Sequence, residues 1–195
     1  SRNFIKIVDN NGDTVPFVLN AEQEEFIKNM EKYNIILKGR QLGMSTLILA
    51  LMVFYAITKP NTNYLIMTHQ NKVSKELFKR LKFMYKHLPI DKYPSIFPKV
   101  VHDNRDEFTL SNGSKIVIGT ASGEDNISGV TWDIIQLSEM AKYPNDEIME
   151  ELLSTAIPAL RKSKDAKIII ESTAMGYSYF SELFMKAWRG NSTFK

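Results

Sequence analysis

The stretch YNIILKGRQLGMST, residues 33–46, decides the fold that this chain is predicted to adopt. The apolar residues 35–37 indicate a short buried strand, and an apolar helical pattern begins at Leu47. Between them lies a glycine-containing loop that ends in two hydroxyl residues. A strand, such a loop and a helix form the context in which backbone N–H groups bind phosphate. The alternative interpretation is an ordinary strand–turn–helix connection.

The loop departs from the strict phosphate-binding pattern at two of its defining positions. Glycine and hydroxyl residues are present as Gly43 and Ser45, but Lys38 stands at the first glycine position and Met44 at the lysine position. Gly43 allows the backbone to approach a phosphate closely, and Ser45 offers a hydroxyl to Mg²⁺. Since Met44 has no charge, we expect either Lys38 or Arg40 to contact the β- and γ-phosphates.

Length and composition point to one ordinary globular domain. The chain has 195 residues, of which 44% are hydrophobic and 24% charged, and its net charge of +3 permits a nucleic-acid partner without establishing one. The absence of cysteine excludes disulfides and cysteine-based zinc sites. The longest apolar run, 47–57, is too short to span a bilayer, and no signal peptide is recognised, so we expect an intracellular protein.

Strand and helix patterns alternate along the chain and predict an α/β fold, with a mostly parallel sheet and helices on both faces. An Asn-Gly step at 11–12 predicts an N-terminal β-hairpin, and Asn20 is expected to cap the next helix with Gln23 as its capping-box partner. The later patterns predict strands at 63–68, 132–137 and 167–170, a hairpin over 106–120, and helices at 71–88, 145–160 and 179–188. The stretch from Pro89 to Pro98 is expected to be irregular.

Three predicted strand ends carry polar residues, and ligands of such sheets bind at the carboxyl ends of the strands. These ends are the loop 38–46, the pair Ser138–Glu139 and the segment 172–176. Glu139 is placed to orient and deprotonate a water that attacks a γ-phosphate. An aspartate that helps to hold the metal usually precedes this glutamate. Here Ser138 takes its place and can hold only a metal-bound water, while Asp133 lies at the opposite end of the strand.

The helix predicted at 71–88 has lysines opposite its apolar stripe. They recur at steps of three or four residues: Lys72, Lys75, Lys79, Lys82 and Lys86. Aligned cations of this kind fit a nucleic-acid phosphate backbone without contacts to bases. An ordinary solvated helix face explains the same pattern, so both interpretations stay open.

The motifs together resemble those of one family, the ATPase domain of the large terminase subunit of tailed phages. The resemblance rests on the GRQLGMST loop, the strand that ends in LSEMA and the STAMG segment, and it extends over nearly the whole chain. It implies a RecA-like P-loop NTPase fold and an Mg²⁺-dependent ATPase that drives double-stranded DNA into a procapsid. It also implies a ring on the portal protein, a terminase small subunit as partner, no membrane, and a location in the host cytoplasm.

The resemblance also assigns roles to individual residues. It implies Lys38 and Arg40 as catalytic phosphate contacts, Gln23 as the adenine contact and Glu139 as the catalytic carboxylate. The whole nucleotide site would comprise Gln23, Lys38, Gly39, Arg40, Gln41, Leu42, Gly43, Met44, Ser45 and Thr46. The metal would be held by Ser45, Glu139 and, through water, Ser138. The motif that couples hydrolysis to movement would consist of Ser172, Thr173 and Gly176.

Family motors also use an arginine finger, for which Arg105 and Arg161 are the candidates. Large terminase subunits resemble two-domain proteins with a C-terminal nuclease, for which 195 residues leave no room, so 1–195 is interpreted as a motor domain alone. A helicase-type nucleic-acid-dependent ATPase is one alternative, which a second RecA-like domain would favour. A catalytically silent nucleotide- or DNA-binding module is another, suggested by Met44 and Ser138.

Overall fold

Strands and helices alternate along the part of the chain that the structure, a computed structural model, describes: residues 4–39, 42–121 and 127–195. The strands are β1 Lys6–Val8, β2 Thr14–Pro16, β3 Tyr33–Leu37, β4 Asn63–Thr68, β5 Val100–Asp103, β6 Glu107–Leu110, β7 Lys115–Thr120, β8 Ile134–Ser138 and β9 Lys167–Ser172. The α-helices are α1 Ala21–Asn29, α2 Met44–Thr58, α3 Asn71–Lys86, α4 Asp146–Ala159 and α5 Tyr179–Trp188. None of these described helices is long and apolar enough to cross a membrane.

The N-terminal hairpin and the first helix form as predicted. β1 and β2 pair antiparallel, and the Asp9 carboxylate accepts the backbone N–H groups of Asn11 and Asp13 in the turn. The side chain of Asn20 accepts the backbone N–H of Gln23, and the side chain of Gln23 accepts that of Asn20. This reciprocal capping box fixes the start of α1.

A seven-stranded sheet lies at the centre of the described residues, in the order β3-β9-β8-β4-β7-β6-β5. The first five of these strands run parallel, and β6 and β5 extend the sheet with antiparallel pairs. β6 and β7 form the hairpin predicted over 106–120. β5 was not predicted, because all four of its residues are exposed and no apolar alternation marks it.

Apolar side chains on both faces of the sheet hold the helices, which confirms the predicted layering. α1, α2 and α3 pack on one face, and α4 and α5 pack on the other. Successive residues of β4 show the alternation, since Tyr64 and Ile66 join the first core while Leu65 and Met67 join the second. Because both faces are covered, the central strands are nearly continuous apolar runs.

Two of these strands extend beyond their predicted carboxyl ends. β8 includes Ser138, and β9 includes both Glu171 and Ser172. Ser138 and Glu171 are register partners across the parallel pair of β8 and β9. Polar residues are therefore built into the buried centre of the sheet at the end where ligands bind.

The outer side of β3 is covered by the last residues of the chain. The Ile35 N–H donates to the Lys195 carbonyl at 2.9 Å, and the Lys195 N–H donates to the Tyr33 carbonyl at 3.0 Å. Phe194 packs its ring beside that of Tyr33. Tyr33 and Ile35 of β3 are thus hydrogen-bonded on the outer side of the strand, while β9 pairs with its inner side.

Candidate functional site

The glycine loop leads into α2 through a glycine in the left-handed conformation. Gly43 has a φ of 68°, and α2 begins at the next residue. This φ favours glycine, and a Cβ on Gly43 would lie 2.8 Å from the side-chain nitrogen of Gln23, which would have to shift. No described side chain caps α2. Its first N–H groups are therefore able to bind an anion.

Gln23 braces this loop from α1. The residue is buried, and its amide nitrogen donates to the carbonyls of Leu42 and Gly43 at 3.4 and 3.0 Å. Its amide oxygen accepts the Asn20 N–H at 3.1 Å. Both ends of the amide are thus used by backbone groups, which confirms the capping interpretation. Contact with an adenine stays a prediction, and it would require Gln23 to release one of these bonds.

Lys38 is the loop cation that the structure places in the site. Its ammonium lies 3.1 Å from Ser45 Oγ and 3.2 Å from Glu139 Oε1, and it forms an ion pair with Glu171. Burial by itself would lower the pKa of Lys38, but the carboxylates of Glu171 and Glu139 outweigh burial and raise the pKa above its ordinary value. Lys38 is therefore a permanent positive charge at neutral pH.

The remaining loop positions have other surroundings. Met44, which stands where the strict pattern has lysine, is buried and belongs to the core on the α2 face of the sheet. Leu42 packs against the same core, and Thr46 is half-buried in the first turn of α2. Arg40 and Gln41 lie outside the described residues, so their predicted phosphate contacts stay predictions.

Glu171, which the sequence analysis did not single out, lies at the centre of the site. It is fully buried, and its Oε1 accepts hydrogen bonds from Ser138 Oγ at 2.6 Å, Ser45 Oγ at 2.9 Å and Gln136 Nε2 at 3.3 Å. Its ion pair with Lys38 completes the compensation that a buried carboxylate needs. The signal in the sequence is a charged residue at the end of the apolar run KIIIES.

Glu139 directly follows β8, at the predicted strand end. Its φ of 53° lies in the left-handed region, which residues other than glycine rarely adopt and which is common at functional sites. Its Oε2 accepts a hydrogen bond from the Thr173 hydroxyl at 3.2 Å and pairs with Lys142 at 3.0 Å. Burial by itself would raise the pKa of Glu139, but Lys142 and Lys38 outweigh burial and lower the pKa below its ordinary value. The carboxylate is therefore ionised at neutral pH.

The segment that follows β9 contacts the turn that carries Glu139. Ser172 Oγ accepts the Ala141 N–H at 3.1 Å, and the Thr173 hydroxyl donates to Glu139. Gly176 lies further along the segment, is exposed and has a φ of 80°. Two of the three residues predicted for coupling thus touch the Glu139 turn directly.

The groups around the Lys38 ammonium fit a hard cation. Ser45 and Glu139, two of the predicted metal ligands, both present oxygens to this ammonium, and Ser138 is joined to Ser45 through their shared acceptor Glu171. Mg²⁺ is held by oxygen ligands, commonly one or two carboxylates together with substrate phosphates. Among the described residues, no group of three or more His, Cys, Asp or Glu side chains could hold a metal by itself. A metal here would therefore also depend on phosphate oxygens.

The two candidate arginine fingers lie away from this site. Arg161 pairs with Asp133 at 2.7 Å, and Asp133 also accepts the Asn63 N–H at 2.8 Å, so this cluster stands at the amino end of β8, where Asp133 was predicted. Arg105 is exposed in the turn between β5 and β6, 3.8 Å from Asp106. Neither arginine is placed to complete the site of its own chain.

The lysines of α3 are exposed with one exception. Lys82 is half-buried, pairs with Asp103 at 2.5 Å and donates to the Asn104 carbonyl at 2.7 Å. It therefore ties α3 to the turn after β5. The other four are exposed and form what we call the α3 lysine face: Lys72, Lys75, Lys79 and Lys86.

Comparison with known proteins identifies relatives of both the sequence and the fold. Residues 35–194 match the family described as terminase large subunit, T4likevirus-type, N-terminal. The large terminase ATPase domain of Thermus phage P74-26 is similar with a TM-score of 0.70 and 21% identity, over 90% of this chain and 72% of that one. The large terminase of bacteriophage HK97 gives a TM-score of 0.72 and 16% identity, over 92% and 39% of the respective chains.

A third similar structure was solved with a bound nucleotide. This large terminase of a thermophilic bacteriophage, in complex with ADP, gives a TM-score of 0.64 and 16% identity, over 91% of this chain and 45% of that one. At such identities the solved structures establish the shared fold, and the predicted RecA-like α/β architecture is confirmed. This chain spans less than half the length of the HK97 protein and of the ADP-bound terminase.

Proposed function

Because this chain belongs to the terminase large-subunit family, which it matches over residues 35–194, we propose that residues 1–195 form an ATPase motor domain. In this proposal the domain hydrolyses ATP to drive double-stranded DNA into a phage procapsid. The observation that carries the proposal is the meeting of Lys38, Ser45 and Glu139 beside the start of α2. A loop cation, a hydroxyl at a helix N-terminus and a carboxylate at the end of another strand of the sheet are groups that ATP hydrolysis uses.

The start of α2 and the loop cation would bind the phosphates of ATP. The uncapped N–H groups and the positive end of the helix dipole favour an anion at this point. The charge and long side chain of Lys38 suit a contact with the β- and γ-phosphates. Arg40 is the second proposed contact, and Gln23 the proposed contact for adenine.

Glu139 would orient the attacking water and accept its proton. The water oxygen forms a bond to the γ-phosphorus while the bond between that phosphorus and the bridging oxygen of ADP breaks. The lowered pKa of Glu139 keeps its carboxylate ionised, so that it is able to accept a hydrogen bond from the attacking water. Since Thr173 bonds to the same carboxylate, the segment with Ser172, Thr173 and Gly176 would respond when the bonds of Glu139 change.

Magnesium is the proposed cofactor, and it would neutralise charge that develops on the phosphates. Ser45 and Glu139 are the proposed protein ligands, with Ser138 acting through water. Their oxygens already stabilise one cation, the Lys38 ammonium, either directly or through Glu171.

DNA and protein partners belong to the same proposal. The α3 lysine face would track the phosphate backbone of double-stranded DNA. We place the protein in the host cytoplasm, in a ring on the portal protein and together with a terminase small subunit. Arg105 or Arg161 would act as the finger on a neighbouring subunit. Arg105 is the more accessible of the two, since Arg161 must first leave Asp133.

Mg²⁺-dependent ATP hydrolysis by this chain is the test. Replacing the proposed base in Glu139→Gln is expected to lower kcat by about 10²–10⁴-fold, and Lys38→Ala to abolish turnover as well. Asp133→Asn is the matched control, because it changes an acid at the other end of the same strand and should leave kcat near that of the parent. Equal turnover in Glu139→Gln and parent would overturn the role of Glu139. Retained turnover in Lys38→Ala would move the phosphate contact to Arg40.

A silent nucleotide-binding module is the second candidate. It is favoured by the engagement of both Glu139 oxygens, which pair with Lys38 and Lys142. If those lysines keep Glu139 from water, the chain binds ATP without hydrolysing it. Binding of ATP by the parent with no turnover, both alone and in the assembled motor, would support this candidate over the first.

A further inference from the structure

We propose that Glu171 is the metal-positioning carboxylate of this site. It supplies from β9 the negative charge that an aspartate directly before Glu139 would supply from β8. The Lys38 ammonium holds the place of the metal until a metal–nucleotide complex enters. This inference rests on the proposed function, because it concerns the cation of the same ATP site.

The register of the sheet brings Glu171 to the place of the absent aspartate. Ser138 and Glu171 are opposite each other in the parallel pair of β8 and β9, so their side chains lie on the same face of the sheet. Ser138 Oγ donates to Glu171 Oε1 at 2.6 Å. The carboxylate oxygen therefore lies one hydrogen bond away from the side chain at position 138.

The same carboxylate oxygen orients Ser45. A serine hydroxyl has one proton and two lone pairs, and Ser45 Oγ gives its proton to Glu171 Oε1 at 2.9 Å. Its lone pairs are then directed to a cation, and one of them faces the Lys38 ammonium at 3.1 Å. Glu171 thus makes Ser45 an acceptor, which is the state that a metal ligand needs.

Charge balance explains why Lys38 stands among these oxygens. The side chains of Glu171 and Glu139 are 0% and 16% exposed, and Lys142 pairs with Glu139 alone. Without Lys38, the fully buried Glu171 would have no described cation beside it, which would be strongly unfavourable. Lys38 lies between them and pairs with both. In a metal–nucleotide complex these oxygens would be balanced by Mg²⁺, and the flexible Lys38 side chain would be free to contact the phosphates of the nucleotide.

The test is the effect of Mg²⁺ on the binding of ADP, measured by calorimetry in Mg²⁺ and again in EDTA. In the parent, Mg²⁺ is expected to strengthen the binding of ADP. Glu171→Gln keeps the shape of the side chain and removes its charge. We expect it to reduce the Mg²⁺ enhancement by roughly 10–100-fold, as the loss of a ligand-orienting partner does, while metal-free ADP binding is kept.

A second variant returns the carboxylate to its usual strand. Ser138→Asp combined with Glu171→Gln should recover most of the Mg²⁺ enhancement, and thermal unfolding shows whether each variant is folded. Exposed Glu151→Gln is the control and should bind ADP as the parent does. If the double variant folds and gains no enhancement, the positional argument is wrong.

A third comparison, between two variants that both lack Lys38, tests whether Glu171 positions the metal or only pairs with the charge of Lys38. Glu171→Gln is made in a Lys38→Met background, where the ammonium that pairs with Glu171 has been removed. A further loss of Mg²⁺ enhancement is expected. No further loss would reduce Glu171 to a counterion of Lys38 and overturn the inference.

The outcomes also separate this inference from the proposed function. A parent that binds no ADP in either buffer contradicts the proposed function itself, and the inference falls with it. A parent whose Mg²⁺ enhancement is unchanged in Glu171→Gln contradicts the inference alone.

Discussion

The two ends of the parallel sheet each hold an ion pair, and the two pairs are built differently. At the carboxyl end, the side chains of Lys38 and Glu171 are 10% and 0% exposed. At the amino end, those of Arg161 and Asp133 are 41% and 16% exposed. The first pair is surrounded by hydroxyls and a second carboxylate, and the second pair anchors the backbone of Asn63. Burial and polar neighbours therefore distinguish the candidate site from an ordinary structural ion pair.

Loss of the cation is the change that separates these pairs most strongly. Lys38→Met leaves Glu171 buried without a counterion and is expected to cost about 3 kcal/mol of unfolding free energy. Arg161→Met removes a cation whose side chain is 41% exposed, so water can take its place beside Asp133, which still accepts the Asn63 N–H. About 1 kcal/mol or less is expected. Urea unfolding at neutral pH measures both values. Similar costs in the two variants would contradict the comparison.

A double variant tests whether the cost of Lys38→Met comes from the buried carboxylate that it leaves unpaired. Combining Lys38→Met with Glu171→Gln removes both buried charges, and it should recover much of the stability that Lys38→Met loses. If no stability returns, the cost of Lys38→Met comes from lost packing and not from an unpaired carboxylate.

Two glycines, Gly43 and Gly176, both have a positive φ but differ in the space around them. A Cβ on Gly43, whose φ is positive, would lie 2.8 Å from the Gln23 side chain, whereas a Cβ on Gly176, with a φ of 80°, would have nothing within 4 Å. Gly43→Ala is expected to cost about 2 kcal/mol or more and Gly176→Ala about 1 kcal/mol. Thermal and urea unfolding give the difference. Equal costs would mean that Gln23 moves aside without loss.

The change expected in the pH dependence of stability is smaller than the costs of the substitutions above. The pKa of Glu139 is lowered in the folded protein, so its contribution is full above the ordinary glutamate pKa of about 4.3 and is lost as pH falls through the lower, folded value. The pKa of Lys38 is raised, so its contribution is full below about pH 10.4 and is lost as pH rises through the higher, folded value. Glu139→Gln should therefore flatten the acid side of the stability curve. The same acid slope in parent and variant would contradict this.

Substitutions of exposed lysines are expected to have the smallest effect on stability. Reversing Lys75 and Lys79 on the α3 lysine face should leave stability nearly unchanged and weaken DNA binding in a salt-sensitive way. Reversing Lys162 and Lys164 provides a control with the same change in net charge elsewhere on the chain. Fluorescence anisotropy at several salt concentrations should give a shallower salt dependence in the first variant only. Unchanged DNA binding would return α3 to the interpretation of an ordinary solvated helix.

The sequence predicts best the elements that are buried on both sides. β4 was predicted at 63–68, as observed, because a strand covered by helices on both faces is a continuous apolar run. The capping box of Asn20 and Gln23 is equally local, so residue types at fixed spacing reveal it. β5 was missed because an exposed strand takes its stability from pairing with β6, which no pattern within its own four residues shows.

The site residues predicted from the sequence included the loop and Glu139, but they did not include Glu171. The loop is a contiguous motif, and Glu139 directly follows an apolar run. Glu171 acquires its importance from Ser45, which lies 126 residues away in the chain, and from Ser138 on the neighbouring strand. Contacts of that kind depend on strand order and register, which sequence spacing does not contain. The absence of an aspartate at 138 was visible in the sequence, but the position of its substitute was not.

The two outer strands of the sheet, β3 and β5, both differ from an open strand edge. An open strand edge is a template for pairing with another chain and thus for aggregation. On one side, Tyr33 and Ile35 of β3 already bond with Lys195. On the other side, β5 shifts register between Val100 and His102, and such an irregularity twists an edge away from regular pairing. The domain therefore protects one edge by covering it and the other by distorting it.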